Sequence, residues 1–308
     1  MKAALENGAT FWNAVCTVRN IWPDTINWFS RQGTFYGPPD ANSLQLLKYY
    51  FTRYPEDASR VFLSVKGAYD GATQTPKANR EDIQASVDDC LAKLDGVKSI
   101  DLFEPARIDP TVPVEESVKA LVELIQTGKI GSYGLSEVNA NTIRRAYAVH
   151  PPAAVEIELS LFSRHALEKD GVIDTCRALG IPVVGYSPLD RGWLTGQFKT
   201  LDDIPKDDFR HFYPRFQPGN FEKNVKLAET VEAVAKKKGT TSAQVAIAWV
   251  QQQGVLPIPG STKVPRVLEN TKGVQLTTAE SEELDNALSK AVVSGARYPE
   301  LFQGHLNQ

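Results

Sequence analysis

The sequence predicts an α/β fold, a (β/α)8 barrel of the TIM type, and three observations carry that expectation. Short apolar runs alternate with amphipathic helical stretches along the whole chain. The connections are short, which makes the strands parallel and their crossovers right-handed. Polar residues end almost every strand: Asn13, Lys66, Ser136, Glu156 and Tyr186. A barrel assembles its site from several strand ends at its C-terminal rim, whereas an open sheet concentrates it at one switch point.

Taken in order, residues 2–6 read as the last turns of a helix, with Gly8 as its cap. Residues 10–13, Thr-Phe-Trp-Asn, read as a short buried strand. Residues 15–32 show no sustained period of two or 3.6, and residues 35–40 are a loop. A helix over 43–54 carries Leu44, Leu47 and Phe51 at helical spacing. The β-prone run 61–66 ends in a lysine. Residues 80–94 place Ile83, Val87, Leu91 and Leu94 on one helical face. Strands at 100–103, 132–136, 154–157 and 182–186 then alternate with helices at 114–127, 140–147 and 171–179. A long loop, 187–219, precedes helices at 221–238 and 241–252, a last strand at 255–258, and helices at 266–271 and 278–289. Seven strands in one series without a composition break predict a single domain over 1–308, with 15–32 as an unpatterned insertion.

The 308 residues are 42% hydrophobic and 23% charged, ordinary for a globular protein. A net charge of −3 argues against a dedicated nucleic-acid or anionic-membrane binder. Cys16, Cys90 and Cys176 are odd in number and far apart, so neither a disulfide framework nor a zinc site is expected. No apolar run approaches the roughly 18 residues of a membrane span, and the start lacks the apolar centre of a signal peptide. A cytoplasmic location is the expectation.

Residues 254–270 concentrate the chemistry of the C-terminal third. An apolar strand runs into Gly260-Ser261-Thr262-Lys263, and a helix starts near Val264-Pro265. Proline suits the first turn, where its missing N–H would have had no partner. Helix-start N–H groups, two hydroxyls, Lys263 and Arg266 would together suit a phosphate-like anion. The alternative is a plain strand–turn–helix joint with solvated charges.

Three ordered motifs then point to a family. They are residues 128–136 (Gly-Lys-Ile-Gly-Ser-Tyr-Gly-Leu-Ser), 186–196 (Tyr-Ser-Pro-Leu-Asp-Arg-Gly-Trp-Leu-Thr-Gly) and 257–262 (Pro-Ile-Pro-Gly-Ser-Thr). In this order and spacing they resemble the aldo-keto reductases. Residues 11–14, 35–40 and 101–109 look, within that family, like the fungal pyridoxal reductases.

The resemblance implies an NADPH-dependent reduction of an aldehyde to an alcohol, pyridoxal to pyridoxine in the narrower reading. Tyr36 would be the general acid. A free tyrosine has a pKa of about 10, so it needs a cation beside it, and Lys66 would supply that charge. Without the resemblance, Lys66 reads as a strand-end lysine reaching solvent. Tyr186 would stack on the nicotinamide, while Ser136, Glu137 and Glu156 would hold its carboxamide. Ser187, Leu189 and Arg191 would lie along the pyrophosphate. Gly260, Ser261, Thr262, Lys263 and Arg266 would grip the 2′-phosphate, with Glu269 and Asn270 at the adenine. The partner is a small-molecule aldehyde. Reduction of another carbonyl, or cofactor sensing without turnover as in the potassium-channel β subunits of this fold, are the alternatives.

The chain departs from the family's pattern in ways that bear on activity. Asn13 stands where an aspartate is usual, so Lys66 is expected to lose its ionic partner. Ala106 stands where a histidine is usual and cannot polarise a carbonyl. Glu137 and Glu156 replace amides, and an ionised glutamate donates no hydrogen bond. The family's barrel-floor hairpin and first strand have no counterpart ahead of Lys2. The catalytic tyrosine comes 23 positions after Asn13 rather than five, and removing residues 15–32 restores five. A translated intron or a loop insertion would each produce that interval.

Overall fold

The computed structural model describes residues 1–15, 42–71, 73–289, 292–300, 304 and 306. The chain forms two compact units. The first comprises Met1–Glu156, Lys169–Pro182 and His305–Gln308, the second Ile157–Glu168 and Val183–Gly304. The fold is α/β, with parallel strands alternating with helices. Among the described residues the strand ladders do not close into a ring.

In the first unit β1 (Phe11–Val15) pairs with β2 (Phe62–Gly67). A hairpin of two-residue strands, β3 (Tyr69–Asp70) and β4 (Thr75–Pro76), follows β2. β2 pairs in turn with β5 (Leu102–Pro105). Single bridges, Ile100 to Ile130 and Phe103 to Tyr133, continue the row toward β6 (Gly134–Ser136). β6 is parallel to β7 (Ala154–Glu158). The register sets Asn13 opposite Ser64, Lys66 opposite Glu104, and Ser136 opposite Glu156.

Two boundaries differ from the sequence expectation with consequence. β1 extends to Val15, assigned above to the unpatterned insertion, because Ser43 Oγ accepts from its N–H at 3.2 Å and donates to its carbonyl at 3.1 Å. Residues 16–32 and Tyr36 lie outside the described residues. The strand expected at 100–103 runs on to Pro105, which brings Glu104 into the ladder.

Polar caps start three of this unit's described helices, each supplying an oxygen to otherwise unpaired N–H groups. Asn42 caps Ser43–Arg53 in a capping box with Gln45, Asn79 caps Arg80–Leu94, and Asn139 caps Ala140–Val149. Gly180, in the left-handed region at φ +69°, ends Val172–Leu179. The inward faces, Leu63, Val65, Ile83, Val87, Val118, Leu121 and Ile143 among them, are completely buried. Each such side chain contributes roughly 1.5–3 kcal/mol relative to exposure. At the other end of the chain order, Lys2 is tied at 2.9 Å to buried Asp57, which also accepts from Tyr50 and Arg60.

In the second unit β8 (Val183–Tyr186) and β9 (Val255–Pro257) are parallel, with Gly185 opposite Pro257. A Cβ on Gly185 would stand 2.9 Å from Val255 Cγ1, so glycine is what allows the helix side and strand side to close there. The helix Ser242–Gln252 is buried from Ser242 to Val250. The loop 187–219 is not featureless, as it holds short 3-10 turns at Asp190–Thr195, Leu201–Asp203, Phe209–Phe212 and Pro214–Phe216. Trp193 anchors it, stacked on Phe216 at 4.8 Å and tilted on Phe221 at 4.7 Å. Among the described residues no helix is long and apolar enough to cross a membrane, and no cluster of His, Cys, Asp and Glu is arranged to hold a metal.

Candidate active site

Strand alternation decides which side chains can meet. Residues two apart share a face, so Ser64 with Lys66 and Leu102 with Glu104 point together, and the register lines them up across the ladder. The result is a polar cluster at the C-terminal ends of the first unit's strands. Lys66 Nζ lies 2.6 Å from Glu104 Oε2 and 3.3 Å from Glu156 Oε1. Asn13 Nδ2 donates to Glu156 Oε2 at 2.8 Å and reaches Ser64 Oγ at 3.2 Å. The side chains are almost wholly withdrawn from water: Lys66 9% exposed, Glu104 0% and Glu156 2%.

This geometry corrects one expectation and removes one alternative. Lys66 has not lost its ionic partner with the change at position 13; it faces two carboxyls, from β5 and β7. Nor does it reach solvent. Asn13 is brought to the cluster, but as an amide donor to Glu156 rather than as a counter-ion. Glu104 was missed as a site residue, although a lone acid inside an apolar strand, two positions before Ala106, was the available signal. Its fit depends on a missing atom: a Cβ on Gly134 would sit 2.6 Å from Glu104 Oε1 and 2.9 Å from the Ala154 carbonyl.

Burial pushes the Glu156 carboxyl up to about 8, with the neighbouring Glu104 adding to the rise and Lys66 opposing it. A buried charge is disfavoured unless it is paired, and one ammonium cannot fully pair two carboxylates. Ser136 Oγ, across the ladder from Glu156, is buried and has no hydrogen-bond partner among the described residues. Glu137 adopts φ +52° and donates its backbone N–H to the Glu156 carbonyl at 3.0 Å.

The second unit places the other expected residues. Tyr186, at the end of β8, is half-buried and its hydroxyl is 3.1 Å from that of Tyr298. Ser187 and Arg191 take left-handed conformations, φ +52° and +57°, in a tight turn where the Leu189 carbonyl accepts from Gly192 and Leu194. Arg191 does not extend toward open space. Its guanidinium bonds Glu158 at 3.0 Å and Asp190 at 3.2 Å and lies over the rings of Tyr213 and Tyr298. Glu158 also accepts from Arg297, and Asp190 from Arg215, a buried charge network that sequence reasoning did not find.

Residues 260–270 form an exposed shoulder. Gly260, Thr262, Lys263 and Arg266 are exposed, and Ser261 Oγ accepts from the Lys263 N–H at 3.1 Å. The helix Val264–Thr271 starts there with proline in its first turn, as expected. Arg266 reaches across to Gln197 Oε1 at 2.9 Å, while the Glu269 carbonyl accepts from Gln244 and Asn270 is half-buried.

Comparison with known proteins supplies the family. Residues 1–289 match the Aldo/keto reductase family. The chain is 39% identical over 320 residues to "Probable pyridoxal reductase 2" of Schizosaccharomyces pombe, covering all of this chain and 90% of that protein. It is 40% identical over 248 residues to "Aldo-keto reductase yakc [NADP(+)]" of the same organism, covering 78% and 73%. Among solved structures, glycerol dehydrogenase AKR11B4 from Gluconobacter oxydans superposes with a TM-score of 0.77 at 24% identity, covering 96% of this chain and 85% of that one. The thermostable aldo-keto reductase Tm1743 does so at 0.67 and 21%, covering 93% and 85%. These two likenesses establish a shared barrel-type fold. On sequence across nearly its whole length, the chain belongs to the aldo/keto reductase family.

Proposed function

We propose that this oxidoreductase uses NADPH to reduce an aldehyde to an alcohol, with pyridoxal as the substrate. The observation that carries the reading is the buried Lys66, fixed by carboxyls at the strand ends where the family needs a cation beside its proton donor. The similarity to a protein called probable pyridoxal reductase, over all of this chain, supports the substrate. The NADP(+) in the second relative's name supports the cofactor.

The residues present suit a dinucleotide. Buried, unpartnered Ser136 Oγ is the kind of group a primary carboxamide would satisfy. Lys263 and Arg266, exposed at a helix start beside two hydroxyls, are suited to a 2′-phosphate. Tyr186 offers a ring face at a strand end. Because Arg191 is already committed to Glu158 and Asp190, its part at the pyrophosphate is limited to shaping the turn that presents Ser187 and Leu189. When bound, the nicotinamide supplies the hydride. In this reading Tyr36 gives its phenolic proton to the alkoxide oxygen, and Lys66 favours the phenolate left behind.

The test is NADPH oxidation by purified protein across a panel of aldehydes that includes pyridoxal, with NADH in parallel. Turnover of pyridoxal above the other aldehydes is expected. Tight NADPH binding with no turnover of any aldehyde would instead establish the cofactor-sensing alternative that Asn13 and Ala106 suggest.

A further inference from the structure

We propose that Glu104 and Glu156 hold one proton between them, and that Glu104 is the positioning residue of Lys66, doing from β5 what the residue at position 13 does not do from β1. The role for Lys66 rests on the function proposed above; the shared proton does not.

The argument starts from charge. Two carboxyls and one ammonium occupy a volume from which water is nearly excluded. With both carboxyls ionised the cluster would carry a net negative charge, and such a buried excess is relieved by taking up a proton. The contacts say which carboxyl keeps its charge. Glu104 makes the short 2.6 Å contact to Lys66 Nζ, whereas Glu156 stands off at 3.3 Å. Asn13 Nδ2 donates to Glu156 Oε2, a contact that a carboxyl oxygen can accept in either protonation state. The upward shift of Glu156 agrees with this assignment.

The groups facing the pair come from every neighbouring strand. β1 contributes the Asn13 amide, and β2 contributes Lys66 with Ser64 beside it. From β6 comes Ser136, in register with Glu156, while the Glu137 N–H is taken up by the Glu156 backbone carbonyl. Glu158, two residues further along β7, pairs with Arg191 and Arg297. Lys66 is therefore the one described cation on the pair. Its ammonium is fixed by Glu104 from one side, and the proton lets Glu156 stay close without a second negative charge.

The decisive measurement needs no cofactor. In protein carrying carbon-13 at glutamate carboxyls, the infrared band of a buried protonated carboxyl should be present at pH 7 and disappear as pH rises through about 8. Glu104→Gln should abolish the band at pH 7, because Glu156 alone with Lys66 would ionise, and Glu156→Gln should abolish it as well. Absence of the band in the wild type at pH 7, or its survival in Glu104→Gln, would overturn the shared proton. For the positioning role, Glu104→Gln should lower kcat for aldehyde reduction by on the order of a hundredfold with the NADPH KM little changed, and Glu104→Asp should recover part of the loss. Unchanged kcat in Glu104→Gln would overturn that role. A wild type that shows the band but reduces no aldehyde would refute the proposed function and leave the shared proton standing.

Discussion

Replacing Lys66 with methionine isolates the energetics of the cluster. The substitution keeps much of the side chain's length and removes its charge. What remains is Glu104 with no cation and an Oε1 that already lacks a partner, next to Glu156. A charge pair at 2.6 Å attracts by about 6 kcal/mol at an effective dielectric near 20. The net cost of removing one partner of a buried pair is about 3–5 kcal/mol, since the stranded charge is partly relieved by protonation. Domains of this kind have roughly 5–15 kcal/mol in total, so Lys66→Met should be close to its folding limit at pH 8. The pH dependence has a definite sign. Without Lys66, Glu156 loses the group that opposes its upward shift, so its contribution is fully present below the unfolded value and is lost as pH rises. The gap between wild type and variant should widen from pH 5 to pH 8 in urea titrations. Adding Glu104→Gln to Lys66→Met removes the stranded charge and should return more than half of the lost stability, though not activity. A single variant as stable as wild type at pH 8, or a double variant no more stable than the single, would refute this account.

Three further expectations follow from other residues. Tyr36→Phe should abolish aldehyde reduction while leaving NADPH affinity within about threefold, the range expected when an interaction acts in the transition state alone; retained turnover would require another acid. NADPH should bind far more tightly than NADH, and Arg266→Ala should cost about 1.5–3 kcal/mol, the usual worth of a charge-assisted contact; calorimetry giving equal affinities for the two dinucleotides would remove the phosphate assignment. Gly134→Ala forces a methyl to within 2.6 Å of Glu104 Oε1 and should destabilise by about 1–3 kcal/mol as overpacking; thermal melts unchanged from wild type would mean that Glu104 can step aside.

Much of the fold was legible because several elements carry their own punctuation. Asn42, Asn79, Asn139 and Thr241 mark helix starts, and Gly180 and Gly239 end helices in left-handed turns. The strand run ending in Lys66 could be located from β-propensity, but its lysine was singled out only by the family resemblance, since position alone read as a residue reaching solvent. What could not be read was partnership. Glu104 is 38 residues from Lys66, and only register sets them opposite each other. Glu158, Arg191, Arg297 and Tyr298 likewise come from widely separated stretches. A sequence motif places Arg191 on a turn but does not reveal that its charge is spent inside the protein.

The change at position 13 shows why residue-by-residue comparison along one strand misled. An acid lost from β1 looked like a lysine left without its counter-ion. The physical requirement, however, is for a negative charge near a buried ammonium, not for a charge on a particular strand. Parallel strands in register bring residues of β2, β5 and β7 to one place, so the charge can be supplied from any of them. Once Glu104 supplies it, an aspartate at position 13 would add another negative group to a cluster already short of cations. An asparagine there keeps the reach to Glu156 and contributes a donor instead of a charge. Asn13 and Glu104 are thus complementary, and Asn13→Asp in an otherwise wild-type chain should destabilise the fold as pH rises. The same substitution made together with Glu104→Gln should be tolerated better, because the number of acids around Lys66 is then unchanged. If Asn13→Asp costs the same with and without Glu104→Gln in urea titrations at pH 8, the two positions are independent and not complementary.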